Sequence, residues 1–243
     1  MANVLVPARR LDPEWMDRTD NVPQDIVATL DDIRLVNRYL RGSNILVRAV
    51  RPFLSGLRPG ETLSVLDVGT GGADLPLDLV AKARRMGRKI RVVAVDRDPV
   101  TLDYAREKAA GTPEVEVLSA DAFDLPFPAG SFDLVTASMF LHHFAHADAV
   151  RLLGGFHALA RRAVLINDLR RHVVSWTFIG VTSRLTRRHP MFVHDAALSV
   201  LRGFTKAELL AAAREAGSVD ATVKRRLPYR LLLTMPVTRG HPA

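Results

Sequence analysis

The sequence predicts a three-layer α/β domain on a mostly parallel sheet of seven strands. Three observations predict it. From residue 62 onward, short β-rich apolar runs alternate with stretches of helical periodicity. Gly, Pro and Asp punctuate the joints where strand-to-helix turns need them. No apolar run approaches the ~18 residues of a membrane span, so the apolar segments read as core elements.

The first 28 residues read as an irregular arm. Residues 29–41 and 43–55 read as two helices parted at Gly42-Ser43-Asn44, with Leu35, Tyr39, Leu46, Val50 and Phe53 as candidate apolar positions. Pro59-Gly60 turns the chain into a first strand at 62–68, followed by a helix at 73–86 that Gly87 stops. A second strand spans 90–95. Asp98 as N-cap and Pro99 as first helical residue open the next helix, which Gly111 ends. Strands at 115–119 and 132–138, a helix at 146–160 and a strand at 163–167 complete the alternation. Residues 171–203 read as an Arg-rich helical lid. Thr205 and Glu208 then have capping-box spacing, and strands at 219–226 and 230–235 flank Pro228 as a hairpin. The expected organisation is an arm with helices over the active site, 1–56, and the α/β domain, 57–243, with the lid at 171–203.

Composition narrows the chemistry. The 243 residues are 48% hydrophobic and 25% charged and include no cysteine. Disulfides, thiolate metal sites and cysteine nucleophiles are therefore excluded. The N-terminus has no signal-like apolar stretch, so a cytoplasmic location is expected. The net charge of +8 is uneven: residues 1–150 carry 18 Lys and Arg against 21 Asp and Glu, leaving +11 for 151–243. A basic half suits an anionic partner, and equally an Arg-rich composition.

Open parallel sheets bind ligands at the carboxyl ends of their strands. The first strand ends in VLDVGTGGA, a glycine turn that lets backbone approach a ligand and leads into a helix N-terminus. Such a turn alone serves many nucleotides. Asp67 ahead of the glycines opposes a pyrophosphate and suits an ammonium group. Asp96, at the end of the second strand, can accept both hydroxyls of a ribose.

On these residues the chain resembles the class I S-adenosylmethionine-dependent methyltransferases over roughly 43–168. VLDVGTGGA resembles the first motif with Ala73 in place of its last glycine, AVDRDP the second, and LSADAFDLPFPAGSFDLVTASMFLHH the third and fourth. The resemblance implies S-adenosylmethionine as cofactor. It implies Asp67 near the methionine amino group, with Gly69, Thr70 and Gly71 backing the cofactor. It places Asp96 on the ribose, Arg97 beside the adenine, Asp121 on the adenine amine, Ala122 and Phe123 around the ring, and Ser138 and Met139 at the methionine end.

The acceptor is less defined. His143 and His142, after the fourth strand, are candidate bases, with His143 first; His194 in the lid is a third. Family members acting on catechols hold a divalent metal through an acid and an Asn after the fifth strand, where this chain has Asn167-Asp168, and also need an acid after the fourth; this chain has Ser138-Met139-Phe140 there, so no metal is expected. The pattern NDLRRH…HDAALSVLRGF resembles methyltransferases of polyketide, quinone and aromatic metabolites. Trp176, Phe178, Met191 and Phe192 are candidates for an apolar wall. The expected function is methylation of a small molecule, aromatic or anionic, at a phenolic, polyketide or quinol hydroxyl. Alternatives are RNA methylation through the basic half, a nicotinamide-dependent oxidoreductase, and a non-catalytic cofactor-binding protein.

Overall fold

The computed structural model describes residues 6–18, 20–40, 43–185 and 188–238. The expected helix separator Gly42 lies outside them. A 3-10 turn at Trp15–Asp17 precedes α1 (Pro23–Leu40) and α2 (Asn44–Ser55). Then follow β1 (Thr62–Val68), α3 (Asp74–Arg85), β2 (Lys89–Asp96), α4 (Pro99–Ala109), β3 (Val115–Ser119), β4 (Phe132–Ser138), α5 (His146–Leu159) and β5 (Ala160–Leu169). The segment expected to form a lid comprises α6 (Val173–Leu185) and α7 (Pro190–Arg202). It is followed by α8 (Lys206–Glu215), β6 (Thr222–Arg226) and β7 (Arg230–Pro236).

The seven strands run in the order β3-β2-β1-β4-β5-β7-β6, all parallel except β7, which is antiparallel to both neighbours. The order reverses between β1 and β4, so the crevice of a doubly wound sheet opens at their carboxyl ends. β1 shows why the strands are continuous apolar runs. Leu63 and Val65 face the cluster that includes Leu46, Val50 and Leu54 of α2 and Leu79 of α3; Leu66 and Val68 face that of Leu152, Leu153 and Phe156 of α5. Both faces are covered, so both parities must be apolar.

The expected caps form: Asp98 accepts from the Thr101 N–H at 2.7 Å, and Thr205 and Glu208 make a reciprocal capping box. Three boundaries differ from expectation. α1 begins at Pro23, six residues before 29, because Pro supplies the fixed φ of a first helical residue and Asp25 suits the first turn. β5 runs over Ala160–Leu169, since strand pairing to β4 and β7 continues beneath the polar residues at both of its ends. β6 starts at Thr222, because Ala221 N–H bonds back to Ser218 and makes 218–221 a turn. No helix among the described residues is long and apolar enough to cross a membrane.

Candidate functional site

The glycine turn is braced from beneath. Asp67 is 2% exposed, and its two oxygens accept the hydroxyls of Thr70 and Thr136, each at 2.8 Å. Burial pushes its carboxyl up to about 7, against these two hydrogen bonds, and the Asp96 charge adds to the rise. Asp67 thus supports the turn as well as lying next to it. Asp96 is the second brace: one oxygen accepts the Gly71 N–H at 3.0 Å, the other the Arg97 N–H at 2.8 Å. The Arg97 side chain itself points to an exposed surface.

Three residues of the turn take left-handed backbone: Gly69 at φ +66, Gly71 at φ +53 and Ala73 at φ +59. Gly71 has open space where a Cβ would stand, which leaves its backbone clear for a ligand. A Cβ on Gly69 would overlap the Phe140 ring, so glycine is required twice over there. Ala73, the departure from the motif, is fully buried at a positive φ and caps the start of α3. Gly69→Ala should therefore cost about 2–4 kcal/mol, from left-handed strain and overpacking. Gly71→Ala should cost about 1–2 kcal/mol. Chemical denaturation of the two variants checks the order; equal losses would show that Phe140 yields freely.

Asp121 follows β3 in an exposed loop, where it accepts the Phe123 N–H at 2.9 Å. Phe123 is 40% exposed, edge-on to Phe144, with the Arg151 guanidinium 4.9 Å from its ring centre. Ala122 is half-buried against the core. Asp67, Asp96 and Ser138 thus close three neighbouring strands, with Asp121 just beyond the fourth. At the β4 end, Ser138 Oγ accepts from Asn167 Nδ2 at 3.0 Å. Met139 is held at φ +58, its N–H on the Asn167 carbonyl. Non-glycine residues in that region concentrate at ligand sites.

The two adjacent histidines separate. His142 is buried, its Nδ1 2.6 Å from Asp168 and its backbone N–H on the same carboxylate at 3.0 Å. Burial alone would raise the Asp168 carboxyl; the His142 ring and two backbone N–H groups hold it below its usual range. With Nδ1 so engaged, Nε2 is the free ring nitrogen, 3.6 Å from Glu14 Oε1. His143 is partly exposed, its Nδ1 3.0 Å from Asp17. Burial lowers its pKa, but the Asp17 hydrogen bond and the charges of Glu14 and Asp17 outweigh that and raise it. His194, the lid candidate, bonds to Asp195 at 2.7 Å and stacks on Trp15 at 4.0 Å; its contacts are with the arm and its own helix.

Sequence reasoning missed Glu14, Asp17, Thr136 and the pairing of Asp168 with His142. The arm holds the first two in place through α7. Asp195 accepts the Trp15 and Met16 N–H groups, Ser199 donates to Glu14 at 2.8 Å, and Arg202 lies 3.8 Å from Glu14 and 3.6 Å from Asp17. Residues 195, 199 and 202 share one helical face, so the HDAALSVLR pattern is an anchor for the arm. Trp176 and Phe178, expected to wall an acceptor, are exposed; Met191 is buried.

No metal was expected here. Asp168 and Asn167, expected just after the fifth strand, lie within the paired end of β5, with side chains bonded to His142 and Ser138. Among the described residues, however, Glu14, His142 and His143 bring ligand atoms within 4.8 Å of one another. Arg202 and Ser199 already balance the Glu14 carboxylate.

Comparison with known proteins gives a methyltransferase domain family matching residues 65–163. The demethylmenaquinone methyltransferase of Thermus thermophilus is 46% identical over 82 residues, 33% of this chain and 36% of that protein. The ubiquinone/menaquinone biosynthesis C-methyltransferase UbiE of Vibrio vulnificus is 34% identical over 97 residues, 39% of this chain and 35% of that protein. The chain thus spans about a third of the length of these relatives. Among solved structures, magnesium protoporphyrin IX methyltransferase from Synechocystis PCC 6803, with bound SAH, shares the fold. Its TM-score is 0.57 at 16% identity, covering 91% of this chain and 90% of that one.

Proposed function

We propose that this chain carries a class I S-adenosylmethionine-dependent methyltransferase domain and methylates a small aromatic acceptor at a phenol- or quinol-type hydroxyl. The observation that carries this reading is the His142–Asp168 pair, in the turn that follows Ser138 and Met139 at the end of β4. S-adenosylmethionine supplies a sulfonium-bound methyl group that needs an aligned, electron-rich partner. The turn supports this reading: Gly71 leaves open space, and Asp67 and Asp96, which brace the turn, are the groups assigned to an ammonium and a ribose.

His142 is the base in this reading. Asp168 fixes the Nδ1–H tautomer, so Nε2 can take the acceptor's hydroxyl proton, and the same carboxylate stabilises the imidazolium that results. His143 is less available as a base, since Asp17 and Glu14 favour its charged form, which has no lone pair to take a proton. His142 is 2% exposed, so an acceptor reaches Nε2 when the arm bearing Glu14 lifts. A phenolate so formed is nucleophilic at oxygen and at ring carbon. Methylation at carbon is the second reading, favoured by the quinone C-methyltransferase among the relatives.

Incubation with methyl-labelled S-adenosylmethionine and a panel of phenols, naphthoquinols and bulk tRNA tests the proposal. Label in a quinol or phenol supports it, and NMR of the product separates oxygen from carbon. Label in tRNA alone overturns it and favours the basic half as an RNA surface.

The buried Asp67 adds a pH dependence. Its pKa in the folded protein, about 7, lies above its usual value of 3.8, so the native state holds a proton that the unfolded chain has lost. This group's contribution to stability therefore falls as pH rises from about 4 to about 7. An ammonium favours the ionised carboxylate, so binding of S-adenosylhomocysteine should tighten about tenfold between about pH 6 and pH 7.5, then level off. Titration calorimetry measures it, with Asp67→Asn expected to flatten the profile. A flat wild-type profile would place the ammonium elsewhere.

A further inference from the structure

Against Met139, just after β4, lies an arginine with no carboxylate counter-ion among the described residues. Arg230 opens β7 opposite Leu169 and is 6% exposed. Among the described residues no carboxylate lies within 4.0 Å of it, and its one hydrogen-bond contact is the Met139 sulfur, at the end of β4. Asp168, the nearest acid to influence it, spends its oxygens on His142 and the Leu169 N–H. Burial pushes the Arg230 guanidinium down to about 10, and Asp168 offsets only part of that.

The residue before it, Tyr229, has two cationic or ionisable neighbours. Arg170, directly after β5, lies 6.0 Å from the Tyr229 ring centre, and the His172 ring is 5.4 Å from the same ring. Burial lowers the pKa of Arg170, with Arg225 adding to it; burial lowers that of His172, with Arg170 and Arg225 adding to it. None of the three has a carboxylate partner among the described residues. A guanidinium removed from water without a partner is costly, and its planar fork fits a carboxylate through two parallel hydrogen bonds. The left-handed Met139 holds its side chain against this fork, so the charge stands beside the residue expected to line the methionine end.

We propose that Arg230 is a substrate-binding residue and that the aromatic acceptor carries a carboxylate, seated on its guanidinium next to the position that is methylated. This rests on the methyltransferase reading for the word acceptor, but its test reads binding.

Titration calorimetry under anaerobic conditions, on protein saturated with S-adenosylhomocysteine, compares 1,4-dihydroxy-2-naphthoate with 1,4-dihydroxynaphthalene. The wild type should bind the carboxylate at least about tenfold more tightly, the scale of a charged hydrogen bond. Arg230→Gln should abolish the preference while leaving S-adenosylhomocysteine affinity unchanged. Arg230→Lys, the more conservative variant, should retain part of it and serves if Arg230→Gln does not fold. Equal wild-type affinity for the two compounds, no binding of either, or a preference that survives in Arg230→Gln overturns the proposal. If the preference depends on Arg230 but no methyl is transferred to either compound, the subsite stands and the acceptor reading falls. If both are methylated without preference, the reverse holds.

Discussion

Replacing His142 with Asn lowers kcat/KM by about two to four orders of magnitude, the range that a positioned acid–base group contributes. Asn is the informative substitution. Its amide N–H can still donate to Asp168, whose carboxylate is fully buried and would otherwise lose its 2.6 Å partner. The loss therefore reports the missing Nε2 rather than a stranded charge. Affinity for S-adenosylhomocysteine should be unchanged, because no contact of the glycine turn passes through the imidazole. His143→Asn should have a much smaller effect, since its ring faces Asp17 at 3.0 Å and its charged form is favoured. Steady-state kinetics on the best phenolic acceptor checks both. Full activity in His142→Asn with loss in His143→Asn would reverse the assignment.

The second large effect is on stability. Arg202 is 3% exposed and donates to the carbonyls of His142, His143 and Asp12, beside the carboxylates of Glu14 and Asp17. One side chain thus ties the lid helix α7, the histidine segment after β4 and the N-terminal arm. Arg202→Met fills similar volume but leaves three carbonyls and a buried Glu14 without it. The expected cost is about 3–5 kcal/mol, as for breaking a buried pair from one side. For a chain of this size that lowers Tm by roughly 6–20 °C. Thermal unfolding measures the global part, and limited proteolysis within residues 6–18 measures arm release. An unchanged Tm with an unchanged cleavage rate would show that the arm is held by other contacts.

The fold was legible because its signals are local. Strands buried on both faces must be continuous apolar runs, and Asp98-Pro99 and Thr205 to Glu208 mark helix starts chemically. The residues expected to meet the cofactor come together for the same reason: Asp67, Asp96 and Ser138 lie at strand ends, and parallel sheets present strand ends on one edge. What stayed hidden depends on contacts between distant segments. Glu14 meets His142 across 128 positions of chain, and nothing in LDPEWMD marks it as a partner. Asp168 was read as half of a possible metal pair, and only its 2.6 Å contact identifies it as the partner of His142. His194 stood out as a lid histidine, yet its neighbours Asp195, Ser199 and Arg202 carry the structural work of that helix.

The account stands on the turn at Gly69–Gly71 receiving S-adenosylmethionine, and one titration tests that directly. S-adenosylhomocysteine and NADH are titrated separately into the wild-type protein by calorimetry. The predicted result is saturable one-to-one binding of S-adenosylhomocysteine, weakened by Asp96→Ala by about 1–3 kcal/mol, the worth of a charged hydrogen bond, with no heat from NADH. Saturable NADH binding with no response to S-adenosylhomocysteine would contradict it.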